Sequence, residues 1–543
     1  MSARHWQKAY GSVPTEINPD AYASVTAMLN EAMRRFADKP AFRCAGQTLS
    51  YADVDRLSRD FAAYLQNALG VKRGDRIALM SPNVLAFPIV FLGIIRAGAA
   101  QVNVNPMYTP HELEHQLNDA GVKVIVVFSG VSGTVADVRP KTGVSTVITC
   151  GVADGSGARV PSPPVDPRLA GATSLEQALA EGAKLGFTPV ELNGDDLLFL
   201  QYTGGTTGVS KGAALSHRNL VANVEQYKAF TAGRMREGEE VIVTAIPLYH
   251  IFALMVNFIT FFALGADNWL VPNPRDFDSF IDTMRKARPS VFMGVNTLYA
   301  GLVAHPKSKE VDWSRLRLAG GGGAAIIPAV SDKWKQMTGV IIHEGYGLSE
   351  TSPVVSFNPM WIDHFSATTG VPLPSTDVKL LDDDGNEVPL GEAGEIVVKG
   401  PQVMSGYWQK PEANAAAFTA DGYFRTGDVG VFDDKGNLKI VDRKKDMIIV
   451  SGFNVYPNEI EAVATSCPGV AECACIGVPD EKSGEAVKLF VVKAPGAALD
   501  EATVIAHCRK ELTGYKIPRQ VKFVDALPKS TVGKILRRDL RGL

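Results

Sequence analysis

The sequence predicts an α/β protein: a large N-terminal domain of doubly wound parallel sheets with a small β subdomain, then a small α+β C-terminal domain. Three observations carry this. Strand and helix patterns alternate from about Arg76 onward, which argues for parallel strands covered by helices on both faces. Beyond Thr368 they give way to short strands and turns, the pattern of an antiparallel unit. A chain of 543 residues is also too long for one hydrophobic core, so at least two domains are required.

In chain order, AFRCAGQTLSYADV (41–54) reads as two strands and a turn. Arg76 to Met80 reads as a strand, Val84 to Ala97 as a helix, Ala100 to Val104 as a strand, Pro110 to Ala120 as a helix and Val122 to Phe128 as a nearly continuous apolar strand. The Gly, Pro and Ser of VADGSGARVPSPPVDP (152–167) mark a surface loop. Ile251 to Ala266 has 16 residues with Asn257 and Thr260 among them. That falls short of the roughly 20 apolar residues needed to cross a bilayer and predicts a buried helix. Leu316 to Leu318 reads as a strand leading into the glycine run Gly320 to Gly323. Val378 to Leu381, Glu395 to Val398 and Leu438 to Val441, with the Asp384-Gly385-Asn386 turn, form the antiparallel unit. From Asp442 the chain reads as a separate module, dividing it into 1–441 and 442–543. Its helices are Pro457 to Ser466 and Ala502 to Leu512, its strands Ala471 to Gly477 and Ala486 to Lys493. The charge run Asp442 to Asp446 reads as a solvated turn or a hinge.

Net charge is -3, which gives no global reason to expect nucleic-acid binding. Six cysteines form no C-x-x-C pair and point to a reducing compartment, and the N-terminus lacks the apolar stretch of a signal peptide.

The chemistry centres on YTGGTTGVSKGA (202–213), which follows the apolar run Leu197 to Leu200. Gly204, Gly205 and Gly208 allow a sharp turn that brings bare N–H groups to an anion, the expected anion being a polyphosphate. Thr203, Thr206, Thr207 and Ser210 add hydroxyls, and Lys211 adds a charge. With Ser210 before the lysine and Gly212 after it, the loop is not a Walker loop. A flexible surface loop is the alternative for this stretch alone. His111-Glu112-Leu113-Glu114-His115 matches H-E-x-x-H, the two-imidazole face of zinc proteases. No third ligand is identifiable, and both glutamates suit a helix N-terminus.

Four further stretches join the glycine-threonine loop: GYGLSET (345–351), GYFRTGD (422–428), DRKKDMIIVSGFNVYPNEIE (442–461) and PKSTVGKILRR (528–538). Their order and spacing resemble the adenylate-forming superfamily of acyl-CoA synthetases, luciferases and peptide-synthetase adenylation domains, over nearly the whole chain from about Leu49. Within it, DGYFRTGDVGVFDDKGNLKIVDRKK resembles the fatty-acyl-CoA synthetase signature, and YTPHELEHQLNDAG and GYKIPRQV resemble bacterial long-chain fatty-acid CoA ligases. The H-E-x-x-H match is then family helix sequence.

The resemblance implies ATP-dependent ligation of a fatty acid to coenzyme A through an acyl-adenylate, with Mg2+. It assigns Thr203, Gly204, Gly205, Thr206, Thr207, Gly208 and Lys211 to the β and γ phosphates, and Thr203 with Glu350 to Mg2+. It places Gly322, Gly323, Ala324, Gly345, Tyr346, Gly347 and Ser349 around the adenine and phosphates, and Asp428 with Arg443 at the ribose. Ser349 departs from the family's usual threonine but keeps the hydroxyl. Lys534 becomes the catalytic lysine of adenylation. Asp442 becomes the hinge of a mobile C-terminal domain, and Ser451, Gly452 and Phe453 line the CoA tunnel. His250, Gly294 and Val295 belong to the acyl pocket, with Tyr227 and Val256 nearby.

The same motifs suit a medium-chain or aryl acid CoA ligase, a stand-alone enzyme loading a carrier protein, or a luciferase-like oxygenase. A catalytically silent nucleotide-binding protein is the reading from a different class; Lys534 speaks against it. The expected location is cytoplasmic. Arg537, Arg538 and Arg541 beside Ile535, Leu536 and Leu540 offer peripheral contact with the inner face of the membrane, against the plainer reading of a solvated helix face. Oligomeric state is left open.

Overall fold

The structure, a computed structural model, describes residues 4–203, 210–451, 453–480, 483–530 and 533–543. The chain separates into two compact units. The larger comprises Gln7–Asp377 and Lys399–Phe418; the smaller comprises Val378–Val398, Thr419–Leu543 and the N-terminal residues through Trp6.

Among the described residues, sheets of nine and eight strands build the larger unit. In the first, Pro40–Cys44, Asp267–Leu270, Val241–Thr244, Val291–Gly294, Leu318–Gly321 and Ile342–Gly347 run parallel. Antiparallel strands close both edges. In the second, Thr173–Ser174, Thr146–Cys150, Val124–Phe128, Arg76–Met80, Ala100–Val104 and Leu197–Thr203 are parallel. Lys211–Ser216 then turns back on Leu197–Thr203, and Gly406–Tyr407 pairs with Lys211–Ser216 in turn.

The helix Ala86–Arg96 explains how the sheets share a core. Its sequence AFPIVFLGIIR is apolar on all sides, and all its residues are buried, as befits a helix with no solvent face. Phe91 packs against Phe199 of the second sheet at 5.5 Å and against Phe258 at 5.3 Å, and Phe258 meets Phe42 of the first sheet at 4.9 Å. Arg96 ends the helix with its guanidinium paired to Asp55 and bonded to Ser58 and Asn30, so the buried charge is compensated.

In the smaller unit, Asp377–Leu381, Gly394–Lys399, Phe424–Phe432 and Leu438–Arg443 form an antiparallel sheet. A second sheet of Ile448–Val450, Phe453–Val455, Val470–Asp480, Gly484–Lys493 and Gln520–Phe523 follows. The helices Pro457–Thr465 and Glu501–Glu511 pack on it over Ile460, Val487, Leu489, Val491 and Val504.

Three features differ from the sequence reading. The segment from Ile251 is helical and buried, but Ala253–Thr260 is wound as a π-helix, a rare form frequent at functional sites and invisible to an apolar count. Gly320 and Gly321 lie inside the strand Leu318–Gly321, so half of the glycine run is sheet. Asp442 is no solvated turn: it lies within the strand Leu438–Arg443 and is 1% exposed. The expected boundary at that residue falls inside a strand. Among the described residues no helix is long and apolar enough to cross a membrane.

Candidate functional site

The larger unit carries the first group of residues on a hairpin. Leu197–Thr203 and Lys211–Ser216 pair so that Thr203 stands directly opposite Lys211. Gly204, Gly205, Thr206, Thr207 and Gly208, expected to grip phosphates, lie outside the described residues. Thr203 Oγ1 donates to Glu350 Oε1 at 3.4 Å, although the two are 147 residues apart. Glu350 sits in the short helical turn Ser349–Thr351, buried, with its carbonyl accepting from Met404 N at 2.8 Å.

Tyr407, which the sequence reading did not single out, completes this group. Its hydroxyl donates to Glu350 Oε1 at 2.9 Å, and the Lys211 ammonium lies 5.2 Å from the centre of its ring. Burial and the Glu350 carboxylate both push the phenol's pKa up, so it remains a donor. No composition signal points to a tyrosine 57 residues from its partner. A carboxylate and a hydroxyl held together are hard oxygen donors, and Glu350 with Thr203 fits a cation such as Mg2+.

The H-E-x-x-H helix contributes differently. Glu112 caps its own helix through Thr109, His111 is exposed, and His115 Nε2 lies 2.9 Å from the Ser210 carbonyl at the foot of the glycine-threonine loop. Among the described residues, no cluster of three His, Cys, Asp or Glu could hold a metal.

A second group gathers at the carboxyl ends of the parallel strands in the first sheet, where ligands of open α/β sheets bind. Gly294 and Gly321 are register partners, as are Gly321 and Glu344. The chain just past two of these ends carries Val295, then Gly322, Gly323 and Ala324, while Gly345, Tyr346 and Gly347 are the last residues of the strand Ile342–Gly347, beyond its parallel pairing. A Cβ on Gly322 would lie 3.2 Å from the Gly345 carbonyl and 3.6 Å from the Phe252 ring, so the two glycine segments are close neighbours. At Gly347 no side chain fits without a backbone shift: a Cβ there would lie 1.9 Å from the Pro353 carbonyl oxygen. Tyr346 and Ser349 are half-buried. Glu344, just before this motif, is buried with its carboxylate accepting from Ile326 N at 2.9 Å, and burial pushes it up to about 7.

His250 is half-buried where the strand Val241–Thr244 leads toward the π-helix, and its Nδ1 accepts from Phe252 N at 3.2 Å. Gly294 and Val295 are buried, as are Tyr227 and Val256. The Tyr227 hydroxyl reaches Met293 Sδ at 3.7 Å.

The smaller unit carries its own constellation. Asp428 and Arg443 are direct partners on neighbouring strands, with Arg443 Nε 3.5 Å from Asp428 Oδ1. Lys534 is close enough to feel both. Burial, aided by repulsion from Arg443, pushes its ammonium down to about 8, and Asp428 opposes the shift.

Arg537, three residues on, bonds Glu461 at 2.8 Å and Asn458 Oδ1 at 2.6 Å, and lies 3.4 Å from Asp442 Oδ1. Asp442 also accepts from Asn458 N at 2.8 Å and Arg443 N at 2.7 Å, while burial pushes its carboxyl up to about 6. Arg537 and Leu540 thus face inward, and only Arg538 and Arg541 of the expected basic face are exposed. Ser451 and Phe453 lie exposed on one hairpin, Phe453 stacked on Tyr515 at 4.8 Å; Gly452 lies outside the described residues.

The sequence matches the family model for AMP-binding enzyme over residues 29–408 and that for the AMP-binding enzyme C-terminal domain over residues 459–534. It is 49% identical to the long-chain-fatty-acid-CoA ligase of Escherichia coli O6:H1, over 99% of this chain and 97% of that protein. The structure of ATP-bound MatB from Rhodopseudomonas palustris aligns at a TM-score of 0.84 and 34% identity, covering 96% of this chain and 98% of the other. The anthranilate CoA ligase AuaEII, in complex with anthranoyl-AMP, aligns at a TM-score of 0.86 and 25% identity, covering 98% of each.

Proposed function

The chain belongs to the AMP-binding enzyme family, and from that premise we propose that it is an AMP-forming ligase joining a long-chain fatty acid to coenzyme A through an acyl-adenylate. The observation that carries the catalytic reading is the meeting of Thr203 and Glu350 at the base of the glycine-threonine hairpin, opposite Lys211.

A carboxylate is a poor acyl donor because its charge is delocalised and oxide does not leave. In the first half-reaction its oxygen attacks the α-phosphorus of ATP, the bond to the bridging oxygen breaks, and pyrophosphate departs. Two anions must be brought together, so positioning and positive charge dominate. Lys211 and the hairpin hydroxyls hold the outgoing phosphates. Glu350 and Thr203 would hold Mg2+, which supplies charge neutralisation at those phosphates. Asp428 accepts hydrogen bonds from the ribose hydroxyls, with Arg443 keeping that carboxylate oriented. Tyr346 and the Gly322 to Ala324 backbone flank the adenine, and Lys534 neutralises the charge that builds where carboxylate and α-phosphate meet. His250, Gly294 and Val295 border the acyl chain.

In the second half-reaction the CoA sulfur, having lost its proton, attacks the acyl carbon, and the carbon-oxygen bond to AMP breaks. Lys534 must vacate its place for the thiol. Rotation of the residues following Asp442 accomplishes this, with Ser451, Gly452 and Phe453 then along the pantetheine.

The test is pyrophosphate release with ATP and Mg2+ across carboxylates from acetate to palmitate and coumarate, with and without CoA. Turnover that peaks at long alkyl chains and needs CoA to be sustained is the expected result. A preference for aromatic acids, or CoA-independent turnover, would replace the assignment by another branch of the family.

A further inference from the structure

We infer that Tyr407 is a positioning residue for adenylation, holding the Glu350 carboxylate in one plane and tying it to Lys211 on the phosphate-binding hairpin. This rests on the reading that Glu350 holds Mg2+.

The terminal torsion of a glutamate is broad, so a carboxylate with few donors samples a range of planes. Here two hydroxyls, from Tyr407 at 2.9 Å and Thr203 at 3.4 Å, converge on the same oxygen, Oε1. Their different origins select one orientation: Thr203 ends the first strand of the hairpin, whereas Tyr407 comes from the short strand Gly406–Tyr407 across the second. The same tyrosine offers its ring face to the Lys211 ammonium at 5.2 Å, a cation–π contact that limits where the lysine swings. One side chain therefore sets the spacing between the acid and the cation that act on the same triphosphate.

Tyr407 is itself held rigidly. It is the register partner of Ala213, its N–H donates to Asn414 Oδ1 at 2.6 Å, and its carbonyl accepts from Asn414 Nδ2 at 3.0 Å. The next residue, Trp408, donates its N–H to the Gly212 carbonyl at 2.8 Å. A side chain leaving so constrained a backbone is pre-organised, and groups that orient a metal-binding carboxylate act through such rigidity.

The experiment uses the full chain and measures ATP binding by titration calorimetry over a Mg2+ series, together with thermal unfolding. Tyr407→Phe removes the hydroxyl and keeps the ring. The Mg2+ concentration for half-maximal ATP affinity is expected to rise about 10–100-fold, the usual effect of removing a group that orients a metal ligand. Metal-free ATP binding and the melting temperature should stay at wild-type values, which a merely structural tyrosine would not show. Tyr407→Leu should weaken metal-free binding as well, because Lys211 loses the ring. Glu350→Gln serves as the reference and should abolish the Mg2+ response. Wild-type Mg2+ dependence in both Tyr407 variants, beside a lost response in Glu350→Gln, would overturn the inference about Tyr407 alone. An unaltered response in Glu350→Gln would overturn the assignment of Glu350 itself, and the role of Tyr407 with it.

Discussion

Arg443 Nε lies 3.5 Å from Asp428 Oδ1, across an antiparallel pair in which the two residues are direct partners. The pair lies within electrostatic reach of Lys534, whose ammonium is held down to about 8 by burial and by Arg443. A lysine with a lowered pKa is charged below that value and neutral above it. In the free enzyme, kcat/KM for adenylation should therefore fall as pH rises through about 8. Lys534→Arg, charged at every accessible pH, should lower the rate but move this limb upward. A pH–rate profile of pyrophosphate exchange for both proteins checks this; an unmoved limb would assign it to another group.

Lys534→Ala should separate the half-reactions. Acyl-adenylate formation is expected to slow by roughly 100-fold or more, the cost of losing one donor to developing charge. Thioester formation from a supplied acyl-adenylate should persist. Rapid-quench measurement of each half-reaction decides the matter, and equal loss of both would contradict the role.

Arg537→Ala should destabilise the smaller unit. It leaves Asp442, 1% exposed, and Glu461 without their cation, a change that costs about 3–5 kcal/mol where a buried pair is broken. The sign with pH follows from Asp442, whose carboxyl is raised to about 6. A raised acid loses stability as pH climbs from its ordinary value through the folded one, because the native state then holds the unwanted charge. The variant's deficit should thus be larger at pH 8 than at pH 5. Denaturant unfolding at both pH values would show it.

Gly347→Ala tests packing in the strand beside the Glu350 turn. The added Cβ meets the Pro353 carbonyl oxygen at 1.9 Å, backbone against backbone, so relief requires the strands to part. A loss of about 1–3 kcal/mol is expected, as for other overpacked positions. ATP affinity should fall with it, since the same shift moves Tyr346 and Glu350; calorimetry and thermal melts on one sample address both.

Much of the architecture was legible along the chain. Arg76–Met80 and Ala100–Val104 fall at the bounds read from sequence, and Pro110–Asp119, Pro457–Thr465 and Glu501–Glu511 within a residue or so. These elements are local: a strand covered on both faces is mostly apolar, the buried Gln101 and Asn103 of Ala100–Val104 being hydrogen-bonded to each other and to Gln201, and a capped helix announces its start. The π-helix Ala253–Thr260 was not legible, because its winding depends on what packs around it. Nor was the fate of Asp442, which a charge run suggests is wet and which the structure buries against Arg537.

The sequence by itself determined the α/β class and, through its motifs, the chemistry, because glycines, hydroxyls and lysines in a particular order are a property of the covalent chain. Only the tertiary structure decided which of them meet. Thr203 and Glu350 are 147 residues apart and Tyr407 another 57 beyond, and the pairing of the strands that carry Thr203 and Tyr407, with the turn Ser349–Thr351 set beside them, brings both hydroxyls onto one oxygen of Glu350. Such convergence is an outcome of strand order and register, set by long-range burial of apolar faces, and leaves no periodic mark on the residues that converge.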